Sequence, residues 1–449
     1  MYYPLPSDFV SRINKQFGEE SQKFINSLDQ PHVNSVRINP WKRIPDLFLS
    51  KQIPWCENGY YLDERPQYTL DPLFHSGSYY PQESSSMFLC YVLKQILRSS
   101  KDYVVLDLCG APGGKSTILS SFLNHKGLLV TNEVIRSRAM VLKENMIKWG
   151  SFNTIVTQND PRDFNNIKSV FDIILVDAPC SGEGMFRKDH SSRLEWSIEN
   201  TQICSLRQRR ILSDVWDSLK EGGFLIYSTC TFNPSENEEN MEWLLSNRDC
   251  KIVDFDIPDK WPVETLKIRG GHGFAFYPHK GMGEGFFLAV IQKLSTGSQV
   301  KEEKLKFNLS KSNVPAGLLK DVESFNVLEQ NNLVYAISKN NLYLTRLILN
   351  KLNVIYHSLE VGKNIKGMLN PSHSLAMNVQ LGDYYPTVNL TLSQSLKYLK
   401  GETDLNLDVS KGWYVVTFLD QSLGFIKSLG NRINNYYPKE YRIRMNLNF

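Results

Sequence analysis

From residue 103 the chain alternates two kinds of segment. The runs "YVVLDL", "GLLVTNEV", "NTIVTQND", "FDIILVDAP" and "GGFLIYSTCT" are apolar and rich in β-branched residues, as strands buried on both faces are. Helical stretches such as "RSRAMVLKENMIKWG" and "TQICSLRQRRILSDVWDSLKEGG" separate most of them. Strand–helix alternation of this kind predicts a doubly wound, parallel α/β sheet. Ligands of such sheets sit beyond the carboxyl ends of the strands, where strand order reverses. Residues at those ends are therefore the first candidates for chemistry.

The rest of the chain bounds what surrounds that sheet. At 449 residues it exceeds one domain, and 41% hydrophobic with 12% aromatic residues suffices for packed cores. The opening "MYYPLPSDFVSRINKQF" lacks the basic flank and apolar run of a signal peptide, and no apolar run reaches membrane-spanning length. A soluble, cytoplasmic protein without a membrane partner is expected. Seven cysteines, at 56, 90, 109, 180, 204, 230 and 250, have neither zinc-knuckle spacing nor an even count, so free thiols and no metal site are expected. A net charge of +4 excludes a global basic field, and nucleic acid would have to meet local patches.

Composition divides the chain into five parts. Residues 1–70 open with a helical stretch, Pro6 to Leu28, then a strand-like "VNSVRINP" carrying Arg37. Residues 71–295 hold "HSGSYYPQESSSMFLCYVLKQIL", with Ser84 to Ser86 as candidate helix caps, and the sheet. The polar stretch 296–315 reads as a linker. An intermediate part, 316–390, precedes 391–449, whose tail interleaves Arg432, Lys439, Arg442 and Arg444 with Tyr436, Tyr437 and Tyr441.

Glycines after the first strand raise the question of a phosphate loop. In "LDLCGAPGGKST" an ATPase loop would need glycine five residues before Gly114, where Cys109 stands. A dinucleotide fingerprint is also missing, since the glycines are Gly110, Gly113 and Gly114. Glu133, ending the second strand, nonetheless suits a ribose. A ribose-bearing, phosphate-free cofactor reconciles the two, and S-adenosylmethionine is one. Asp160 and Asp177 end the third and fourth strands, so the loop Cys109, Gly110, Ala111, Pro112, Gly113, Gly114, Lys115 and the acids Glu133, Asp160 and Asp177 form the expected cofactor site.

Two thiols lie at the same edge: Cys180 in "VDAPCSGEGMFRK" and Cys230 in "YSTCTFNPSENEEN". Single cysteines are usually small buried hydrophobes, the reading given to Cys90 and Cys204. Cys180 and Cys230 instead fall in polar turns. Together "DLCGAPGGKST", "DAPCSGEGMFRK", "YSTCTFNPSENE" and "YYPQESSSM" resemble the Sun family of RNA (cytosine-C5) methyltransferases over roughly residues 30 to 293. The tail "GWYVV…LGFIK…GNRINNYYPKEYR" is similar to the RsmF/YebU branch, whose members end in a small barrel like the PUA module.

That resemblance implies a Rossmann-like class I methyltransferase with a small N-terminal α/β extension that binds RNA, and a C-terminal α+β or β-barrel, PUA-like region at 391–449. It implies transfer from S-adenosylmethionine, leaving S-adenosylhomocysteine, to 16S ribosomal RNA or the small subunit, with tRNA methylation or a non-catalytic ribosome-assembly role as alternatives. A monomer is the expected state. Cytosine C5 is too weak a nucleophile to take a methyl group directly, so a thiolate must first add at C6. The resemblance gives Cys230 that role, Cys180 the removal of the C5 proton and product release, and Asp177 the cytosine edge. DNA methyltransferases attack with the Pro-Cys thiol, so the residues alone do not choose between the two. Arg187, Lys188, Arg432, Lys439 and Arg442 are the expected RNA contacts, whereas Arg207, Arg209 and Arg210 read as a solvated helix face.

Overall fold

The computed structural model describes residues 3–42, 49–97, 101–295 and 310–445. Five parallel strands form the middle of the largest sheet: β1 (Val104–Asp107), β2 (Leu128–Asn132), β3 (Thr154–Thr157), β4 (Phe171–Asp177) and β5 (Leu219–Thr229). Past β5 the sheet continues through antiparallel β9 (Phe286–Lys293), β8 (Gly271–Phe276) and β7 (Glu264–Ile268), with β6 (Cys250–Ile252) beside β9. Its order is β7-β8-β9-β5-β4-β1-β2-β3-β10, where β10 (Val354–His357) comes from the intermediate part and pairs antiparallel with β3. Strand order reverses between β1 and β4, the crevice where such sheets hold ligands.

Neighbouring residues of a strand point to opposite faces, and both faces are covered. Val105, Leu129, Ile173 and Leu175 belong to one buried cluster with Leu93 and Ile118. Leu106, Val130, Ile174 and Val176 belong to the other with Ile211 and Leu212. This is why the strands read as unbroken apolar runs. Helices α1 (Gly114–Leu123), α2 (Arg136–Trp149), α3 (Ile198–Val215) and α4 (Glu238–Asn247) flank the sheet.

The opening residues form helices Ser7–Phe17 and Ser21–Ser27, then a four-stranded antiparallel sheet ending at Tyr79–Pro81, past the boundary expected at residue 70. Phe9, Ile13, Phe24 and Leu28 pack on Phe186, Trp196 and Phe232, so the helices clamp the loops that follow β4 and β5. The cap expected from Ser84 to Ser86 comes instead from Glu83, whose carboxylate accepts the backbone N–H groups of Ser85 and Ser86 at 2.8 and 2.9 Å.

Most of the expected linker, 296–309, lies outside the described residues; Ser310–Lys311 already pairs with Phe325–Gln330 in a five-stranded sheet. A last sheet joins Thr387–Asn389, Gly412–Phe418, Gln421–Ser428 and Ile433–Asn435. Leu70 of the N-terminal part packs into its core beside Tyr398 and Tyr437. Among the described residues no helix is long and apolar enough to cross a membrane.

Candidate active site

The loop between β1 and α1 is shaped by close approach. A Cβ on Gly110 would stand 2.3 Å from Thr131 Oγ1, and Gly113 has φ +124°, so neither position tolerates a side chain. Beneath the loop Ser116 donates to Asp107 Oδ2 at 2.6 Å and meets Thr131 Oγ1 at 2.8 Å. Asp107 is fully buried, its Oδ1 has no partner, and burial pushes its pKa up to about 7. Arg37, also buried, donates to Gln82 and to the carbonyl of Gly114, and lies 4.5 Å from the Trp149 ring. The N-terminal sheet thus braces the first turn of α1.

A cavity of about 550 Å³ opens at the carboxyl ends of the strands, lined by Cys109, Ala111, Glu133, Asp160, Asp177, Cys180 and Cys230 among others. All seven are sequence-predicted site residues at strand ends or in the loop; Gly110, Pro112, Gly113 and Gly114 shape the loop without lining the cavity. Val134 and Ile135 expose apolar surface at its wall, about half of each side chain. Glu133 is buried, accepts the Ile135 N–H at 3.0 Å and lies 3.6 Å from Arg138, which leaves carboxylate lone pairs for hydroxyl donors. Asp160 caps the short helix Pro161–Asn166 and meets Arg210 at 3.4 Å, so it has a structural task as well. Burial holds the Cys109 thiol well above its ordinary range. These residues fit an adenosyl group: an acid at a ribose's place, apolar walls for a flat ring, and backbone N–H groups at the start of α1 for a carboxylate.

The groups around the two thiols are closely packed. Lys115 Nζ donates to Asp177 Oδ2 at 2.8 Å, and Ser228 Oγ donates to Asp177 Oδ1 at 2.7 Å. Burial pulls the Lys115 ammonium down, but Asp177 and then Cys230 more than offset that, and its pKa is raised. Lys115 is therefore a charged partner of Asp177 here, not a solvated first-turn lysine. The sulfurs of Cys180 and Cys230 are 3.1 Å apart. The hydrogen bond to Cys230, followed by burial, holds the Cys180 thiol well above its usual range. Gly184 N donates to the Cys230 carbonyl at 2.7 Å, stitching the two loops together.

Buried acids set those loops. Glu236 accepts from Ser181 N and from Gln208 Nε2, both at 2.9 Å. Glu183 accepts from Arg12 at 2.7 Å, Trp196 Nε1 at 2.9 Å and Phe232 N at 3.1 Å. Both lie in polar motif stretches, and nothing short of the fold distinguishes them from surface acids. Asn233 accepts from Ser235 N at 3.1 Å in a turn that precedes α4, and the helix itself starts only at Glu238, after Asn237.

Other expectations need correcting. Arg187 is not a free phosphate contact: it is buried and paired with Glu284 at 3.0 Å, because the loop after Cys180 folds inward under Phe186. Arg207 and Arg210 line the cavity instead of facing only solvent. Arg442 is half-buried against Gly401, and Tyr437 is core, whereas Lys188, Arg432 and Lys439 are exposed and Tyr436 leans on Trp413 at 57° with centroids 4.4 Å apart.

Comparison with known proteins accounts for nearly the whole chain. Residues 94–292 match the family model of 16S rRNA methyltransferase RsmB/F, 5–84 the N-terminal domain of 16S rRNA methyltransferase RsmF, and 385–443 the methyltransferase RsmF PUA domain. Ribosomal RNA small subunit methyltransferase F of Shewanella woodyi is 31% identical over 97% of this chain and 96% of its own. The same-named protein of Aeromonas hydrophila is 29% identical over 93% of each. A methyltransferase homolog from Pyrococcus horikoshii superposes with a TM-score of 0.55 at 28% identity, over 64% of this chain and 95% of that one. NSun6 from Pyrococcus horikoshii, solved with SFG, shares the fold with a TM-score of 0.55 at 22% identity, over 65% and 98%.

Proposed function

The chain belongs to the RsmB/F family of 16S rRNA methyltransferases, and from that membership we propose that it forms 5-methylcytidine in small-subunit ribosomal RNA through a covalent adduct at Cys230. S-adenosylmethionine supplies the methyl group, held by the loop Cys109 to Lys115 with Glu133 and Asp160. The observation that carries the reading is the pair of free thiols facing each other in the cavity, 3.1 Å apart, beside Asp177. Methylation of an exocyclic amine has no use for two such thiols.

The geometry supports a division of labour. Cys180 keeps its proton and is the natural donor across the gap, leaving the Cys230 sulfur as acceptor. The Lys115 ammonium, hydrogen-bonded to Asp177, lies close enough to interact with Cys230 as well, so the two side chains share one charged neighbour. Cys230 then adds to C6 of the cytosine, breaking the C5–C6 double bond and passing its electron pair toward C5. Asp177 hydrogen-bonds the N3/N4 edge and stabilises the charge that spreads over the ring. After methyl transfer a base takes the C5 proton, the C6–S bond breaks and the double bond returns. Cys180, one sulfur away, serves that elimination. Lys188, Arg432 and Lys439 contact RNA phosphates, and Tyr436 with Trp413 offers stacking surface in the PUA domain.

The test is transfer of a labelled methyl group from S-adenosylmethionine to unmodified 16S rRNA and to assembled small subunits. No transfer to either, with the cofactor bound, would leave a non-catalytic assembly factor as the better reading.

A further inference from the structure

A second depression lies beside the catalytic loops, between the N-terminal sheet and the turn before β9. It measures about 110 Å³ and is bordered by His32, Arg65, Tyr68, Glu83, Lys188 and Glu284. A water needs roughly 10–15 Å³, so this space takes a group of several atoms. Its position follows from the chain: Gly285, next to Glu284, packs on Gly184, which holds the Cys230 carbonyl.

Two observations mark it as a binding place. Glu284 is only 8% exposed, and while its Oε1 is paired with Arg187, its Oε2 is buried with no partner. A buried carboxylate oxygen left unpaired is costly unless a donor completes it. Burial pushes the Glu284 pKa up to about 7 even with Arg187 beside it. Positive charge also converges here: burial, then Lys188, Arg65 and Arg187, lowers the proton affinity of His32. Glu83 also borders the groove and its charge reaches Glu284, but its oxygens are taken by Ser85, Ser86 and the Glu284 N–H, so they offer a ligand less than the unpartnered Glu284 Oε2 does.

We propose that this groove is a subsite for a nucleotide neighbouring the target cytidine, with Glu284 Oε2 accepting an exocyclic amino group of its base and Arg65 and Lys188 meeting its phosphate. The proposal rests on the reading of the main site as an RNA methyltransferase. One free carboxylate oxygen suits adenine, cytosine or guanine. Uracil has no exocyclic amine, and its one N–H lies between two carbonyl oxygens that repel a carboxylate. The subsite therefore selects against uridine at one neighbouring position.

The experiment uses the full-length protein and ribosomal RNA randomised at positions flanking the methylated cytidine, with methylated products sequenced. Wild type should deplete uridine at one position roughly tenfold, the scale of one base-reading contact. Glu284→Gln, whose amide both donates and accepts, should lose that depletion while still methylating. Arg65→Ser, at an exposed side chain, keeps the test open should Glu284→Gln fail to fold. It should lower the salt dependence of RNA binding by about one phosphate contact without altering the base profile. Identical neighbour profiles in wild type and Glu284→Gln, or an unchanged salt dependence in Arg65→Ser, would overturn the subsite. Absence of any cytidine product from wild type would sink the main-site reading instead, so the two failures are distinct.

Discussion

Cys180 and Cys230 face each other across 3.1 Å, one at the end of β4 and the other at the end of β5, in a cavity that also contains Asp177. Loops that follow neighbouring parallel strands can bring two thiols this close without a disulfide, and both remain free. If Cys230 attacks and Cys180 releases, removing the second should stall the reaction after attack. Cys180→Ala incubated with RNA and S-adenosylmethionine should give a protein–RNA band that survives a denaturing gel. Cys230→Ala should give none.

Asp177 is held by Lys115 on one oxygen and Ser228 on the other. Asp177→Asn preserves the shape and removes the carboxyl group proposed to meet the N3/N4 edge as electrons from Cys230 enter the ring. Its kcat should fall ~10²–10³-fold, the scale for loss of one preorganised electrostatic contact. Steady-state kinetics should show a far smaller change in KM for the cofactor.

Gly110 has no room for a methyl group, with Thr131 Oγ1 and Ser116 Oγ at 2.3 and 2.9 Å from the position it would take. Gly110→Ala should cost about 1–3 kcal/mol, as overpacking does, and push Ser116 off Asp107. Thermal melting with and without S-adenosylmethionine measures both effects: a lower Tm, and a smaller rise on adding the cofactor.

Asp107 couples stability to pH. Its folded pKa is raised from 3.8 to about 7, chiefly by burial. A raised acid contributes stability that is fully present below the unfolded value and lost as pH rises through the folded one. Wild type should therefore lose stability between pH ~4 and ~7 from this group, and Asp107→Asn should lack that slope. Denaturant unfolding at a series of pH values reads it directly; parallel curves for both proteins would refute it.

The sequence carried the parallel sheet because strands covered on both faces must be apolar throughout, and it carried the site because strand ends are where acids and thiols have no packing role. Glu133, Asp177, Cys180 and Cys230 were legible on those grounds. Arg187 was not, since a basic pair after an active-site loop looks the same whether it faces solvent or, as here, pairs with Glu284 from a turn almost a hundred residues away. Likewise Arg207 and Arg210 sit on an amphipathic helix whose polar face happens to border the cavity. The joining of Val354–His357 to β3 escapes any local pattern, because a short apolar strand does not name its partner. Tyr437 and Tyr436 show the same limit: adjacent tyrosines, one core and one exposed.

The most direct check is nucleoside mass spectrometry of small-subunit ribosomal RNA, free and assembled, after reaction with S-adenosylmethionine and either wild type or Cys230→Ala. New 5-methylcytidine made by wild type and absent with Cys230→Ala is the expected result. Methylation at a position other than C5, or 5-methylcytidine formed equally well without the Cys230 thiol, would contradict covalent catalysis from the end of β5.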